Sequence, residues 1–524
     1  MLSSPPRERK SETMRTKAKF AAVCAAAGLV VVTAVNPVAN AATPVDTSEL
    51  RDAVTVDGVR SHQAAFQAIA DANGDIRTSG SPGYDESGYY VAGLMTDAGY
   101  DVTIQPFDFP FFEEQTPAEL EQVAPTPTVY TYFGSPSGFA TMSYSGSGDV
   151  TAPPEGVDII DASALPANTS TSGCEASDFD SFTAGNIAIV QRGSCSFAQK
   201  ALNAEAAGAV GVVIFNEGQP GRDINFLGTL GGPESTIPVV GASTDVGLEL
   251  AAAESARIKV DAISEIRQTF NVIADTPGGR DDRVVVVGAH LDSVSEGPGI
   301  QDNGSGSAAI LEIALQMAEL EIEPRNQVRF AWWGAEESGL LGSQFYVDNL
   351  SAREIKDIAA NLNFDMIGSP NFVRFVYDGD GSDTAVAGPN GSGVIEDVFN
   401  DYFAGQNLPV EPTEFSGRSD YGPFIAVGIP AGGLFTGAEG IKTEEQVAVY
   451  GGTAGDQYDP CYHLACDTFD NISLEALDQM SDAAAHATLT FAMTTSAVNG
   501  TDKGNAKSTK TVEQLEFKGN AAQQ

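Results

Sequence analysis

The sequence predicts an α/β protein built on a mixed central sheet with helices on both faces, interrupted by an inserted α/β unit. Three observations carry this reading. Between residues 268 and 365, strand-like apolar runs alternate with helical patterns: "RVVVVGAH", a helix over 303–320, "QVRFAWWGA", a helix over 338–350 and "IAANLNFDMIG". Such alternation marks parallel strands joined by crossover helices. From about Glu113 to Pro154 the composition turns to Pro, Thr, Ser and Gly with short aromatic segments, as where a chain leaves one domain for another. Finally, 524 residues are too many for one hydrophobic core.

Taken in order, residues 1–41 read as an export signal. Arg7, Arg9, Lys10, Arg15, Lys17 and Lys19 precede the apolar run Phe20 to Val35, and Ala39-Asn40-Ala41 has the small-x-small form of a cleavage site. The apolar run is shorter than the roughly 20 residues a membrane-spanning helix needs. Segment 46–124 opens the first domain with helices over Val59 to Ala72 and Asp85 to Ala98, then the alternating strand "YDVTIQPF". Residues 125–265 form the insertion, a strand, helix, strand series through "GNIAIVQRGSCSF", "AGAVGVVIFN" and "STIPVVG". The first domain resumes at "TFNVIADTPGG" and fills 266–497, ending in an amphipathic helix from Ser473 to about Ser496; 498–524 read as a polar, disordered tail.

A net charge of −43 repels phosphate backbones and anionic lipid, which argues against nucleic acid or membrane partners and fits a soluble exported chain. Of five cysteines, Cys24 leaves with the signal. The remaining four form two disulfides in an exported protein, and sequence proximity favours Cys174 with Cys195 and Cys461 with Cys466; a zinc-cysteine site is the alternative.

The chemistry gathers where strands end. His290 closes "RVVVVGAH", Asp292 follows it, Asp302 precedes the next helix, "VRFAWWGAEES" ends in Glu336 and Glu337, and "NLNFDMIG" carries Asp365. In open α/β sheets, sites lie beyond the carboxyl ends of the strands. Singly, each acid has a structural explanation as a helix cap or a first-turn acid. Together they do not: only four histidines exist, His62 and His486 sit in ordinary helical patterns, and His463 lies between two cysteines in "CYHLAC". Two histidines and three carboxylates suit two borderline divalent cations such as zinc, one carboxylate bridging ions roughly 3.5 to 4 Å apart.

"GAHLDS", "DNGSGSAA", "WWGAEESGLLGS", "NFDMIGSPN" and "CYH" resemble the secreted double-zinc aminopeptidases of clan MH, most nearly the leucine-preferring Streptomyces branch. The resemblance covers about 56–110 and 268–495; "QRGSCSF", "AGAVGVVIFN" and "IPVVG" resemble the protease-associated domain. It implies a phosphorylase/hydrolase-like fold and cleavage of amino-terminal peptide bonds after a large apolar residue. His290 and Asp365 would hold one zinc, Glu337 and His463 the other, and Asp302 would bridge them. Glu336 would be the general base acting on a water between the ions, Asp292 would orient His290, and Tyr462 would donate to the oxyanion. Arg418 would lie near the substrate, with Met366, Gly417 and Phe435 around the first side chain. Asp478 and Asp482 match calcium-binding positions, for which neither Asp52 nor Asp57 supplies a third ligand in register. A monomer acting on peptides is expected. Within the fold, a one-zinc glutaminyl cyclase and a carboxypeptidase or dipeptidase are the rivals. Outside it, the rival is a binding protein that has lost catalysis.

Overall fold

The computed structural model describes residues 45–495 together with Val498. The signal and all of the tail but Val498 lie outside these residues.

A short helix, Ser48–Ala53, opens the described chain and is followed by two longer ones, α1 (Val56–Ala72) and α2 (Pro82–Asp97). Ser81 caps α2 by accepting from Tyr84 N and Pro82 occupies its first turn, so the helix begins a few residues before the expected Asp85. A long strand, β1 (Asp101–Ala124), leads into the second unit. That unit comprises β2 (Phe139–Ser143), β3 (Pro154–Gly156), β4 (Ile187–Gln191), α3 (Phe197–Ala206), β5 (Gly211–Phe215), β6 (Val239–Ala242) and α4 (Thr244–Ala251). The return strand β7 (Ser255–Asp275) is followed by β8 (Arg280–His290), α5 (Gly304–Glu319), β9 (Asn326–Trp333), α6 (Leu341–Asp348) and β10 (Ile358–Phe364). The chain closes through β11 (Phe375–Tyr377), α7 (Ser392–Gly405), β12 (Glu411–Thr413), β13 (Ala431–Phe435) and α8 (Leu474–Met493).

The main sheet has ten strands: eight in the order β12-β11-β13-β10-β8-β9-β7-β1, with Thr128–Val129 beside β1 and Gly148–Ala152 beside β7. Its centre is parallel: β8 pairs in parallel with β9 and β10, and β10 with β13. β7 and β1 are antiparallel, which makes the sheet mixed. Both faces are covered, and this explains the unbroken valine run of β8. Val285 and Val287 pack into the core formed with α1, α5 and α8, while Val284 and Val286 pack beside Trp333, Tyr346 and Phe424 on the other face.

One expectation needs correction. Residues 113–124 do not leave the first domain as loop and short strands; they continue β1, which pairs with β7 along nearly its whole length. Phe107, Phe109 and Phe111 alternate inward against Ala335, and beyond the register shifts near Glu114 and Thr116 the buried residues become Ala118 and Leu120, which belong to the second unit's core. These irregularities let one strand serve two cores. The second sheet, β3-β4-β5-β6-β2 on its main path, is parallel from β3 to β6. Disulfides join Cys174 to Cys195 and Cys461 to Cys466.

Helix α5 packs its first turn directly on the end of β10: a Cβ added at Gly306 would lie 2.1 Å from Phe364 O. Gly93, by contrast, is exposed within α2 with no atom within 4 Å of an added Cβ. Gly306→Ala is therefore expected to destabilise the fold by about 1–3 kcal/mol through overpacking. Gly93→Ala should stabilise it by about 0.4–1 kcal/mol through loss of unfolded-state entropy. Urea midpoints at unchanged slope measure both signs.

Candidate metal centre

Strands β8, β9 and β10 deliver their last residues to one edge of the sheet, and the loops that follow bring the charged side chains together. His290, Asp302, Glu336, Glu337, Asp365, Met366, Arg418, Phe435, Tyr462 and His463 all line one cavity of about 100 Å³. Gly417 lies in the turn between the lining residues Ser416 and Arg418 and is not itself among them; its amide donates to the Tyr421 hydroxyl at 3.1 Å.

Asp302 sits at the centre. Its Oδ1 is 3.2 Å from His290 Nε2 and its Oδ2 is 3.3 Å from His463 Nε2, so the two oxygens face two different imidazoles. Asp365 Oδ1 lies 3.3 Å from His290 Nε2, and Glu337 Oε2 lies 3.2 Å from His463 Nε2. Two overlapping groups are compact enough to hold an ion: His290 with Asp302 and Glu337, and His290 with Glu336 and Asp365. Glu337 Oε1 and Asp365 Oδ1 are buried without a hydrogen-bond partner, which is the condition expected of oxygens that complete a metal shell. Nitrogen and carboxylate donors in this number fit two zinc ions.

The electrostatics make the same demand. Burial raises the Glu336 carboxyl well above the usual range, against the pull of His290, and burial raises Glu337 as well. Burial opposes a charge on His463, yet Glu337 and Asp302 push it up to about 11. Burial also works to raise Asp302, but hydrogen bonds from His290 and His463 hold it below the ordinary carboxylate range. Cations between these groups would relieve the crowding.

Behind the ligand atoms, Asp292 ties three of the named residues together. Its backbone oxygen is 3.2 Å from His290 Nδ1, and its carboxylate accepts from the backbone amides of Glu336 at 3.2 Å and Glu337 at 3.4 Å. Arg418 Nη2 donates to the Tyr462 hydroxyl at 3.2 Å while Nη1 pairs with Glu439 at 2.6 Å, and the Tyr462 ring stacks on His463 at 3.8 Å.

The sequence reading missed several supports. Asp467 accepts from the amides of Gln301 at 2.8 Å and Asp302 at 2.9 Å. Burial pushes its carboxyl up to about 8. Arg77, fully buried, donates to the carbonyls of Leu291, Pro298 and Gly299 and so fixes the loop after β8. The Ser419 hydroxyl donates to Asp365 Oδ2 at 2.6 Å. The cap of α5 is Asn303 and not Asp302: Asn303 Oδ1 accepts from Gly306 N at 2.9 Å, which leaves the Asp302 carboxylate for the site. Only Asp467 carried a signal, as an acid directly following Cys466.

Asp478 and Asp482 lie on α8, where Asp482 is approached by Arg51 at 4.0 Å. Burial and Asp478 push Asp482 up to about 6. Among the described residues the two aspartates belong to no group of three ligands close enough for an ion, so the calcium site is incomplete.

Comparison with known proteins places these features in a family. The profile of peptidase family M28 matches residues 271–488, and that of the PA domain matches residues 160–250. An aminopeptidase of Pseudomonas aeruginosa is 49% identical over 438 residues, covering 83% of this chain and 80% of that protein. Leucine aminopeptidase 2 of Trichophyton equinum is 48% identical over 326 residues, 61% of this chain and 65% of that one. Among solved structures, the aminopeptidase from Aneurinibacillus sp. strain AM-1 superposes with a TM-score of 0.62 at 26% identity, covering 84% of this chain and 95% of that chain. A zinc aminopeptidase from Bacillus subtilis does so at 0.54 and 26%, covering 83% and 94%. These relatives place the chain in peptidase family M28 among aminopeptidases, without the narrower tie to the Streptomyces branch.

Asp467→Asn replaces one of two carboxylate acceptors by a donor facing a backbone amide. It is expected to weaken zinc binding by about 10-fold or more, as loss of a support behind a metal ligand commonly does, with the fold retained. Competition with a chromogenic chelator measures the change, and a thermal melt of the zinc-free protein checks the fold.

Proposed function

The chain belongs to peptidase family M28 and is a zinc-dependent aminopeptidase; from that premise we propose that it removes single residues from free peptide amino termini, preferring a large apolar first residue such as leucine, as in the Streptomyces branch its motifs resemble. The observation that carries the reading is Asp302, one carboxylate whose two oxygens face His290 and His463 separately.

Asp302 would be shared between two zinc ions, one completed by His290 and Asp365 and the other by Glu337 and His463. The chemistry such a pair supplies when bound is Lewis-acid polarisation of the scissile carbonyl and a lowered pKa for water. The chain's own residues do the rest. The ion pairs of both imidazoles go to aspartates and Glu337, which leaves the neighbouring Glu336 to take the proton from the attacking water and hand it to the leaving amine. Its backbone amide is anchored on Asp292, so the base is positioned by the same carboxylate that orients His290. The Tyr462 hydroxyl, accepting from Arg418, is polarised to donate to the developing oxyanion. Arg418 would sit beside the bound substrate, and Met366, Phe435 and the turn at Gly417 would border the first side chain. The free ammonium of the substrate meets Glu336 and Asp365, whereas an acylated terminus would bury those carboxylates with no compensating charge.

The proposal extends to organisation and setting. Segments 46–124 and 266–497 form the catalytic domain around the insertion at 125–265, and the protein acts outside the cell as a monomer after loss of residues 1–41. The two disulfides support export. No helix among the described residues is long and apolar enough to cross a membrane.

Leucyl-nitroanilide should be cleaved, its acetylated form should not, and alanyl-nitroanilide should be slower than leucyl because each buried methylene contributes about 0.8 kcal/mol. Equal cleavage of free and acetylated leucyl substrates would overturn amine recognition. Glu336→Gln should retain two zinc ions, counted by atomic emission, and lower kcat by about 10²-fold or more. Near-normal turnover would assign the base elsewhere.

A further inference from the structure

The two imidazoles of the metal centre are held by different means. His290 ends β8, and its Nδ1 lies 3.2 Å from the Asp292 backbone oxygen and 3.6 Å from the Asp292 carboxylate. His463 sits in a loop, its side chain 36% exposed, with its Nε2 facing Glu337 and Asp302 and its ring against Tyr462. Its aim is therefore set by where that loop stands relative to Asp302.

Two buried carboxylates hold the two sides. Asp459 stands at the base of the His463 loop: its Oδ1 accepts from the Cys461 amide at 2.9 Å, and its carbonyl accepts from the Tyr462 amide at 3.3 Å. Asp467 stands on the Asp302 side: its carbonyl accepts from the Ile300 amide at 3.1 Å, and its carboxylate accepts from the amides of Gln301 and Asp302. Asn471, itself buried on the stretch leading into α8, joins them. Its Nδ2 donates to Asp459 Oδ1 at 3.0 Å and to Asp467 Oδ1 at 3.2 Å. A side-chain amide nitrogen carries two protons in one plane, so both are used here, and the group between the carboxylates defines their separation. Without it the two acids would each lose a donor in a place where like charges already crowd.

We propose that Asn471 is a positioning residue that fixes the His463 loop against Asp302. It thereby sets the affinity of the ion assigned to Glu337 and His463, while the ion assigned to His290 and Asp365 depends on Asp292 and Ser419, which hold those two ligands from their own side. The proposal rests on the two-zinc reading of the site.

The test returns zinc stepwise to the stripped full chain in competition with a chromogenic chelator. Spectra of the protein labelled with 15N-histidine report which imidazole meets each ion, and with only four histidines in the chain His290 and His463 can be told apart. Asn471→Ala removes both donors; Asn471→Asp keeps the shape but offers at most one proton to two acceptors. Both variants should weaken the ion at His463 by about tenfold or more and the ion at His290 by about threefold or less, as for an outer support that acts on one ligand. Asp459→Asn separates the bridge from its charge. It keeps a carbonyl oxygen for Cys461 and Asn471 and puts its own amide where Oδ2 is buried without a hydrogen-bond partner. It should bind both ions within about threefold of the parent, since the outer support is kept. At saturating zinc the Asn471 variants should lower kcat more than they raise KM, because Tyr462 rides on the same loop and donates to charge formed only in the transition state. Equal affinities in parent and Asn471 variants, weakening of both ions by the same factor, or an Asp459→Asn variant as weak as Asn471→Asp would overturn the proposal. Uptake of fewer than two ions by the parent would overturn the two-zinc reading and the proposal with it.

Discussion

The structure is organised around a buried carboxylate that two imidazoles approach from opposite oxygens. Asp302 can occupy that position only because its backbone is fixed: its amide and that of Gln301 both donate to Asp467, and Asp467 is linked through Asn471 Nδ2 to Asp459. An acidic residue thus holds the chain that carries another acidic residue. This is tolerable because backbone amides, and not side-chain cations, satisfy the inner carboxylate, leaving the outer ones for metal. The rest of the site follows from the same demand. Asn303 takes over the cap of α5, Ser419 satisfies one oxygen of Asp365, and Asp292 accepts the amides of both glutamates.

Much of the candidate site was legible in the sequence for a physical reason. A buried parallel strand is a run of valines, and polar residues that end such a run are conspicuous, as His290 is after Val284 to Val287. With only four histidines, two of them on amphipathic helical patterns, His463 between two cysteines was equally conspicuous. Arg77 was not legible, and Asp467 was so only by its place after Cys466. They act on backbone carbonyls and amides far away in sequence, and a backbone partner leaves no mark on residue type. The length of β1 was obscured for a different reason: residues 113–124 change the face and the core they serve, so period-two alternation is interrupted where the strand continues.

That strand also explains how a second unit can be inserted without loosening the first. β1 and β7 leave and re-enter the main sheet as one antiparallel pair whose register runs from Asp101 opposite Asp275 to Ala124 opposite Ser255. The link is a hydrogen-bonded ribbon and not a pair of flexible linkers. Charges reinforce its far end, where Arg257 pairs with Glu119, Glu121 and Asp149. Exposed pairs of this kind contribute little singly, and here they lie beyond the register shifts, where Ala118 and Leu120 bury the strand against the second unit's core. The second unit is therefore reached through one continuous two-stranded ribbon.

The aim of the ligand side chains depends on local backbone strain that tertiary contacts hold in place. Ala335, Met366 and His463 all have positive φ, at 53°, 53° and 56°, a region costly for residues with a Cβ, and each is a site residue or the immediate neighbour of one. Every one of the three is pinned. The Ala335 amide donates to Ser79 Oγ at 2.7 Å, and the Met366 amide donates to Asn303 Oδ1 at 3.1 Å while its carbonyl accepts from Thr436 N at 2.9 Å. His463 lies within the loop closed by Cys461 and Cys466. The left-handed turn at Ala335 redirects the chain as it leaves β9 and sets the direction from which Glu336 and Glu337 enter the site. The pins come from different parts of the chain, Ser79 before the insertion and Asn303 and Thr436 after it. Folding of the whole surrounding unit, and not of any one loop, is therefore the condition for these three residues to hold their positions.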